Sequence, residues 1–123
     1  MIDKVNLEKK FSLFSKHWNP KVVGEMNDAY VKIAKIKGEF VWHQHDAEDE
    51  MFFIVKGNLV IKIRDMEERE ISLSENEFVI IPKGIEHMPV AKNEVWLMMI
   101  EPKTTINTGN VFDDRTVEEP QWI

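Results

Sequence analysis

Residues 38–57 read GEFVWHQHDAEDEMFFIVKG, and the two histidines in this stretch are its most informative feature. His43 and His45 are two residues apart, so on a β-strand their side chains point to the same face. Neutral imidazole is the commonest protein metal ligand, and a carboxylate such as that of Glu50 completes a mixed nitrogen and oxygen shell. The stretch therefore predicts part of a metal site.

The third histidine of the pattern lies far along the chain, at His87. The sequence has four histidines, and His17 is the one outside the pattern. An isolated histidine is usually a surface or packing residue, so we assign His17 no part in the site. If the fold brings Glu50 and His87 beside His43 and His45, the protein holds a metal.

The chain between residues 29 and 101 is typical of short β-strands separated by turns. Apolar residues alternate with other residues along 59–64, which is the period-two pattern of a strand. Short strands at regular spacing favour a sandwich or barrel. The predicted strands cover residues 29–36, 40–45, 51–55, 59–64, 70–73, 77–81 and 95–101.

A short helix is predicted before the strands, over residues 6–15. Asn6 can cap its start, and Leu7 and Phe11 lie on one helical face. Pro20 ends any helix that reaches it. The length of 123 residues is that of a single domain, which we assign to residues 1–123.

The stretch quoted above resembles the first motif of the cupin family. That motif has a glycine, then H-x-H, then a glutamate three or four residues on, and a glycine after six more. The sequence supplies H-x-H at residues 43–45, followed by Glu50 and Gly57 at the family's spacing. It departs at the start, because four residues rather than five separate Gly38 from His43.

A second segment resembles the second cupin motif, whose centre is P-x-G-x-x-H. Residues 82–87 read PKGIEH and match that centre. Asn76 stands where the motif has its first glycine, and asparagine also tolerates the left-handed backbone of such a turn. Ala91 stands where the motif ends in asparagine. Two separated motifs thus agree in order and spacing.

The resemblance covers residues 29–101 and implies an all-β fold, a double-stranded β-helix (jelly-roll) cupin barrel. A helical extension over residues 1–20 and a C-terminal tail over residues 102–123 flank this core. The metal ligands of the family correspond to four residues here, position by position. They are His43, His45, Glu50 and His87.

Asp49 is a rival to Glu50, since it also meets the looser spacing, but its side chain should face the other way. In the barrel, Pro82 and Gly84 fix the bend that aims His87. Four protein ligands leave one or two positions on the ion open for water or substrate. Ligand type alone does not choose among Fe, Mn, Ni, Zn and Co as the divalent metal.

A mostly apolar pocket is expected around the ion, and a small-molecule ligand would bind there. Its predicted lining is Phe52, Ile54, Leu59, Ile61 and some of Trp96, Met98 and Ile100. On the outside, Met51, Phe53 and Trp42 would form an exposed apolar patch. The N-terminal helix or a second subunit would cover it, and resemblance to small cupins implies a homodimer.

The composition of the chain limits the classes of partner that we expect it to bind. A net charge of −6 argues against nucleic acid, because phosphate binding needs a concentrated basic surface. No apolar run approaches the roughly 18 residues that span a bilayer, and the N-terminus predicts no secretory signal. Cysteine is absent, which excludes disulfides and thiolate metal sites and fits the cytoplasm.

Two classes of function follow. The first is a metal-dependent enzyme, dioxygenase-like or isomerase-like, acting on a small polar metabolite. The second is a non-catalytic module that binds or senses a sugar or metabolite, since no further histidine remains in the matched region as a general base. A sugar-phosphate role would need basic residues at the pocket mouth. The candidates are Lys32, Lys62, Arg64 and Lys83, of which Lys62 and Arg64 face out by parity.

Overall fold

The structure, a computed structural model, describes residues 2–123 and begins with a short helix. Helix α1 runs over Leu7–Phe11, which is shorter than the predicted 6–15. The Asn6 side chain caps it as predicted, accepting a hydrogen bond from the Lys9 amide at 3.0 Å. The helix ends early because the Ser12 hydroxyl donates to the Lys9 carbonyl at 2.6 Å and competes for the last turn.

The rest of the described chain is built mainly from β-strands. The predicted all-β fold with a short N-terminal helix is confirmed. The strands are β1 (Lys21–Met26), β2 (Ala29–Glu39), β3 (Glu50–Lys56), β4 (Leu59–Arg64), β5 (Glu68–Leu73), β6 (Phe78–Ile81), β7 (Glu86–Pro102) and β8 (Gln121–Trp122).

Strand β7 organises the sheet because it pairs with three other strands. Along most of its length it lies antiparallel to β2, while its first part pairs with β4 and its last part with β3. Beyond these neighbours the order continues through β1 and β8 on one side, β5 on another and β6 beside β3. Within residues 2–123, the pairing stays open and does not close into a continuous barrel.

Two predicted strands were wrong in their bounds. The predicted strand at 95–101 is the second half of the longer strand β7. The polar residues 92–94 interrupt its apolar pattern, so the sequence did not indicate one continuous strand. The predicted strand at 40–45 is not a regular strand, and only His43 forms an isolated bridge, to His87. A register shift between Ile36 and Gly38 takes the chain out of regular pairing just before it.

The main core fills the space between the facing strands, and a second core lies outside it. The second cluster contains Phe11, Val23 and Ile33, all buried. Phe11 stacks on Trp96 with ring centroids 4.7 Å apart, so α1 covers the outer face of β7. Trp96 and Met98 therefore pack on the outer face of the sheet. They were predicted to line the inner pocket, and that prediction was wrong.

The C-terminal tail packs tightly on the strands. Thr105 and Thr108 are buried, and β8 extends the sheet in parallel beside β1. The Asn110 amide donates to the Gln44 carbonyl at 3.1 Å, and the Asn110 side chain accepts from the Gln44 amide at 2.9 Å. The tail thus clamps the H-x-H segment. No helix in the described range has the length and apolar character to cross a membrane.

Candidate metal centre

Backbone pairing brings the two histidine segments together. The His43 amide donates to the His87 carbonyl at 3.0 Å, and the His87 amide donates to the His43 carbonyl at 2.8 Å. The Gly84 amide donates to the His45 carbonyl at 2.8 Å, which ties the P-x-G turn to the same segment. Residues 44 and 39 positions apart are held side by side in this way, as the motifs predicted.

The imidazole rings of His43 and His87 are oriented by backbone carbonyls. Nδ1 of His43 lies 2.9 Å from the Val41 oxygen, and Nδ1 of His87 lies 2.9 Å from the Ile85 oxygen. A carbonyl only accepts, so each Nδ1 carries the proton and each Nε2 keeps a free lone pair. This is the tautomer that lets each histidine bind a metal through Nε2.

Glu50 completes the cluster from strand β3. Its Oε1 lies 3.4 Å from Nε2 of both His45 and His87. All four side chains are buried, and each offers an atom within 4.8 Å of the others'. Among the described residues, Oε1 of Glu50 and Nε2 of His45 and His87 are buried without a hydrogen-bond partner. Buried polar atoms normally have partners, so these converging atoms fit a metal ion.

Asp49 does not belong to the cluster. It is exposed, and its carboxylate accepts a hydrogen bond from the Lys83 amide at 2.9 Å. Asp49 therefore braces the turn that precedes His87, while Glu50 faces inward with 2% of its surface exposed. The alternation of strand side chains separates the two carboxylates as expected.

Comparison with known proteins agrees with this geometry. Residues 29–105 match the family model described as Cupin domain. The chain belongs to the cupin family. The matched range contains all four clustered residues and extends four residues beyond the core predicted at 29–101. Asn76 has a φ of 67°, so this cupin uses the left-handed backbone predicted for the position of the missing glycine.

Solved structures resemble this cupin over most of its length. A cupin-2 domain containing protein from Shewanella frigidimarina NCIMB 400 has a TM-score of 0.76 at 49% identity, covering 80% of this chain and 93% of that chain. Hydroquinone 1,2-dioxygenase PnpCD in complex with Fe3+ has a TM-score of 0.73 at 21% identity, covering 82% of this chain and 32% of that chain. The second likeness shows the fold alone.

A curated relative matches a shorter segment. The uncharacterized protein YdbB of Bacillus subtilis (strain 168) is 39% identical over 65 residues, which are 53% of this chain and 56% of that protein. The match therefore spans only about half the length of this curated relative.

The electrostatics of the cluster favour a neutral His43 next to an ionised Glu50. Burial and the neighbouring His87 lower the pKa of His43 to about 4. Burial also acts to lower the pKa of His45, but the adjacent Glu50 carboxylate raises it above the usual value. Burial acts to raise the pKa of Glu50, yet Glu101, His45 and His87 together hold it well below its usual value. The cluster thus holds a buried negative charge among histidines.

Sequence reasoning missed one buried acid of the site, Glu101 on β7. It lies on the same face as Leu97 and Met99, which is opposite to the face that was predicted to line the pocket. Lys32 was considered for the pocket mouth, but it is buried and its Nζ lies 2.8 Å from the Glu101 carboxylate. Burial, together with the charge of Glu50, raises the pKa of Glu101 well above its usual value.

A small apolar cavity adjoins the cluster. Its volume is about 40 Å³, which is room for roughly three water-sized spheres. His43, Glu50 and Asn107 are its polar residues. The apolar lining is Trp18, Pro20, Ala34, Ile36, Phe40, Phe52, Pro89, Leu97 and Met99.

The predicted pocket lining was correct for Phe52. Ile54, Leu59 and Ile61 are buried in the main core but do not line this cavity, and neither do Trp96, Met98 and Ile100. The parity of β7 puts Leu97 and Met99 inside instead. The four basic candidates for a sugar-phosphate mouth do not line this cavity.

Proposed function

We propose that this cupin is a metal-dependent enzyme acting on a small metabolite, by dioxygenase-like or isomerase-like chemistry. The observation that carries the proposal is a buried set of three histidines and one glutamate whose ligand atoms converge next to a cavity, three of them without a hydrogen-bond partner. His43, His45, Glu50 and His87 would hold the ion. A bound divalent metal would supply Lewis-acid catalysis or, as iron, dioxygen activation.

The surrounding side chains define what can bind there. Phe52, Leu97 and Met99 form an apolar lining beside His43 and Glu50. This lining disfavours water that would compete with a substrate. Asn107 also lines the cavity, but its side chain is held within the C-terminal tail, where it donates to the Arg115 carbonyl and accepts from the Val117 amide, both at 2.8 Å. The substrate we propose is therefore compact, with a polar group directed at the ion and an apolar remainder against the walls.

Metal titration tests the proposal, with Asp49 and Glu50 as a matched pair. We expect the wild-type protein to bind one Co(II) per chain, and Glu50→Gln to weaken that affinity by more than about 100-fold, beyond the range of outer-shell changes. Asp49→Asn should keep wild-type affinity because its carboxylate faces the Lys83 amide. Isothermal titration calorimetry measures all three.

Two results of that titration would contradict the proposal. One is a wild-type protein, purified without chelator, that contains no metal and binds none. The other is an Asp49→Asn variant that loses the metal while Glu50→Gln keeps it. Iron-loaded protein and an oxygen electrode then separate dioxygenase-like chemistry, which consumes dioxygen, from isomerase-like chemistry, which does not.

We also propose that the cupin forms a homodimer, in the cytoplasm that its cysteine-free composition fits. Phe78 and Ile80 on β6 remain exposed at 58% and 54%. The strand register continues their face across β3 and β7. The N-terminal helix packs on Trp96 rather than on Phe78 or Ile80. Trp42, which was predicted to belong to the exposed patch, stacks against the Arg64 guanidinium at 3.7 Å. The apolar face consists of Phe78, Ile80, Met51, Phe53, Met98 and Ile100.

A charge on that face should break the dimer. We expect Phe78→Glu to halve the mass measured by light scattering after size-exclusion chromatography, because a carboxylate would be buried against apolar side chains. Phe112→Glu is the control, since Phe112 is 66% exposed but lies on the tail. Equal masses for wild type and Phe78→Glu would count against this face as the interface.

A further inference from the structure

Lys32 and Glu101 form an ion pair inside the fold. Their side chains are each 2% exposed, and Nζ of Lys32 lies 2.8 Å from Oε1 of Glu101. Lys32 also donates to the Thr105 carbonyl at 3.2 Å. Taking the Lys32 ammonium and the neighbouring carboxyl group out of water is costly, and buried pairs of this kind are often no better for stability than apolar residues. The pair therefore needs a reason other than fold stability.

The position of Glu101 supplies that reason. The register of β3 and β7 pairs Met51 with Ile100, which places the inward-facing Glu50 and Glu101 next to each other. The two carboxyl groups therefore lie side by side on the inner face of the sheet. Oε1 of Glu101 accepts from Lys32, while Oε2 is buried without a hydrogen-bond partner among the described residues. Glu101 thus connects a fixed ammonium group to the carboxylate at the cluster.

Neither Lys32 nor Glu101 lines the cavity. They lie behind Glu50, whose other side faces His45 and His87. A carboxylate on a flexible side chain has several rotamers, and holding it from behind keeps Oε1 between the two imidazoles. Groups that orient a ligand in this way commonly change metal affinity about 10- to 100-fold when removed.

We propose that Lys32 and Glu101 are positioning residues that hold the Glu50 carboxylate in its ligating orientation. The inference rests on the proposed function, because it concerns the same metal site. Lys32 anchors Glu101 from β2, Glu101 holds Glu50 across to β3, and the Thr105 carbonyl fixes Lys32 from the tail.

An apolar replacement of the pair separates positioning from stability. We expect the Lys32→Met/Glu101→Leu double variant to bind Co(II) about 10- to 100-fold more weakly than wild type and to show a shifted visible absorption spectrum of the bound ion. Its urea unfolding midpoint should stay close to the wild-type value. The control Lys103→Met/Glu25→Leu removes a more exposed pair and should leave affinity and spectrum unchanged.

The conservative variant Glu101→Gln should retain affinity within about threefold, because its amide can donate to Glu50 and its oxygen can accept from Lys32. Wild-type affinity and spectrum in the double variant would overturn the inference while leaving the proposed function intact. If the double variant does not fold, Glu101→Gln and Glu101→Leu decide, and equal affinities in those two overturn the inference. A wild-type protein that binds no Co(II) overturns both.

Discussion

Replacing His45 with alanine should abolish stoichiometric metal binding while leaving the protein folded. His45 supplies one of the converging ligand atoms, and its Nε2 lies 3.4 Å from Glu50 in a buried site. With that nitrogen gone, the remaining three groups cannot close the shell, and we expect affinity for Co(II) to fall by more than about 100-fold. Elemental analysis and circular dichroism of the purified variant measure the two parts of the prediction.

His17→Ala is the control for that experiment. His17 is half-buried outside the cluster, where its Nε2 lies 2.7 Å from Glu94. This variant should keep its metal. An unfolded His45→Ala protein would show that the residue serves mainly the fold, and a folded variant that keeps its metal would remove His45 from the ligand set.

Replacing Gly109 with alanine should destabilise the protein by about 3 kcal/mol, since overpacking adds to a strained backbone. A Cβ at this position would lie 2.2 Å from the Gln44 carbonyl oxygen and 3.1 Å from the His43 ring. Its φ of +57° is also in the left-handed region. Because backbone atoms cannot move aside, the tail would separate from the H-x-H segment. Urea unfolding measures the change in the free energy of unfolding.

Gly84→Ala isolates the backbone contribution to that loss. Gly84 also has a positive φ, at +81°, but a Cβ there would meet nothing within 4 Å. Its cost should be about 1 kcal/mol, from the left-handed conformation alone. Equal losses for the two variants would mean that the contact between Gly109 and Gln44 contributes nothing to stability.

Motif spacing in the sequence was enough to predict which four residues the fold brings together. His43 and His87 could be placed because each lies in a short motif that resembles a cupin motif, and the resemblance implied that the two segments meet, as their backbone pairing confirms. The inward direction of Glu50, against Asp49, followed from strand alternation alone. These are local properties, and local properties can be read from one sequence.

The register between strands that are distant in sequence could not be predicted from the sequence, and neither could the features that depend on that register. The continuity of β7 through residues 92–94 requires its partners β2, β3 and β4. Without that continuity, the parity that puts Met99 and Glu101 inside could not be assigned. Lys32 and Glu101 are 69 positions apart in the sequence, and the residues around each of them do not predict their contact.

The backbone carbonyls of Val41 and Ile85 set the tautomers of two site histidines, and this has an evolutionary consequence. A carbonyl group is present whichever amino acid occupies the position, so side-chain substitution cannot delete it. Sites that orient imidazole through a carboxylate lose that control with one mutation. Here a side-chain substitution at position 41 or 85 leaves the carbonyl acceptor in place, so the ring nitrogens that face the centre keep their lone pairs.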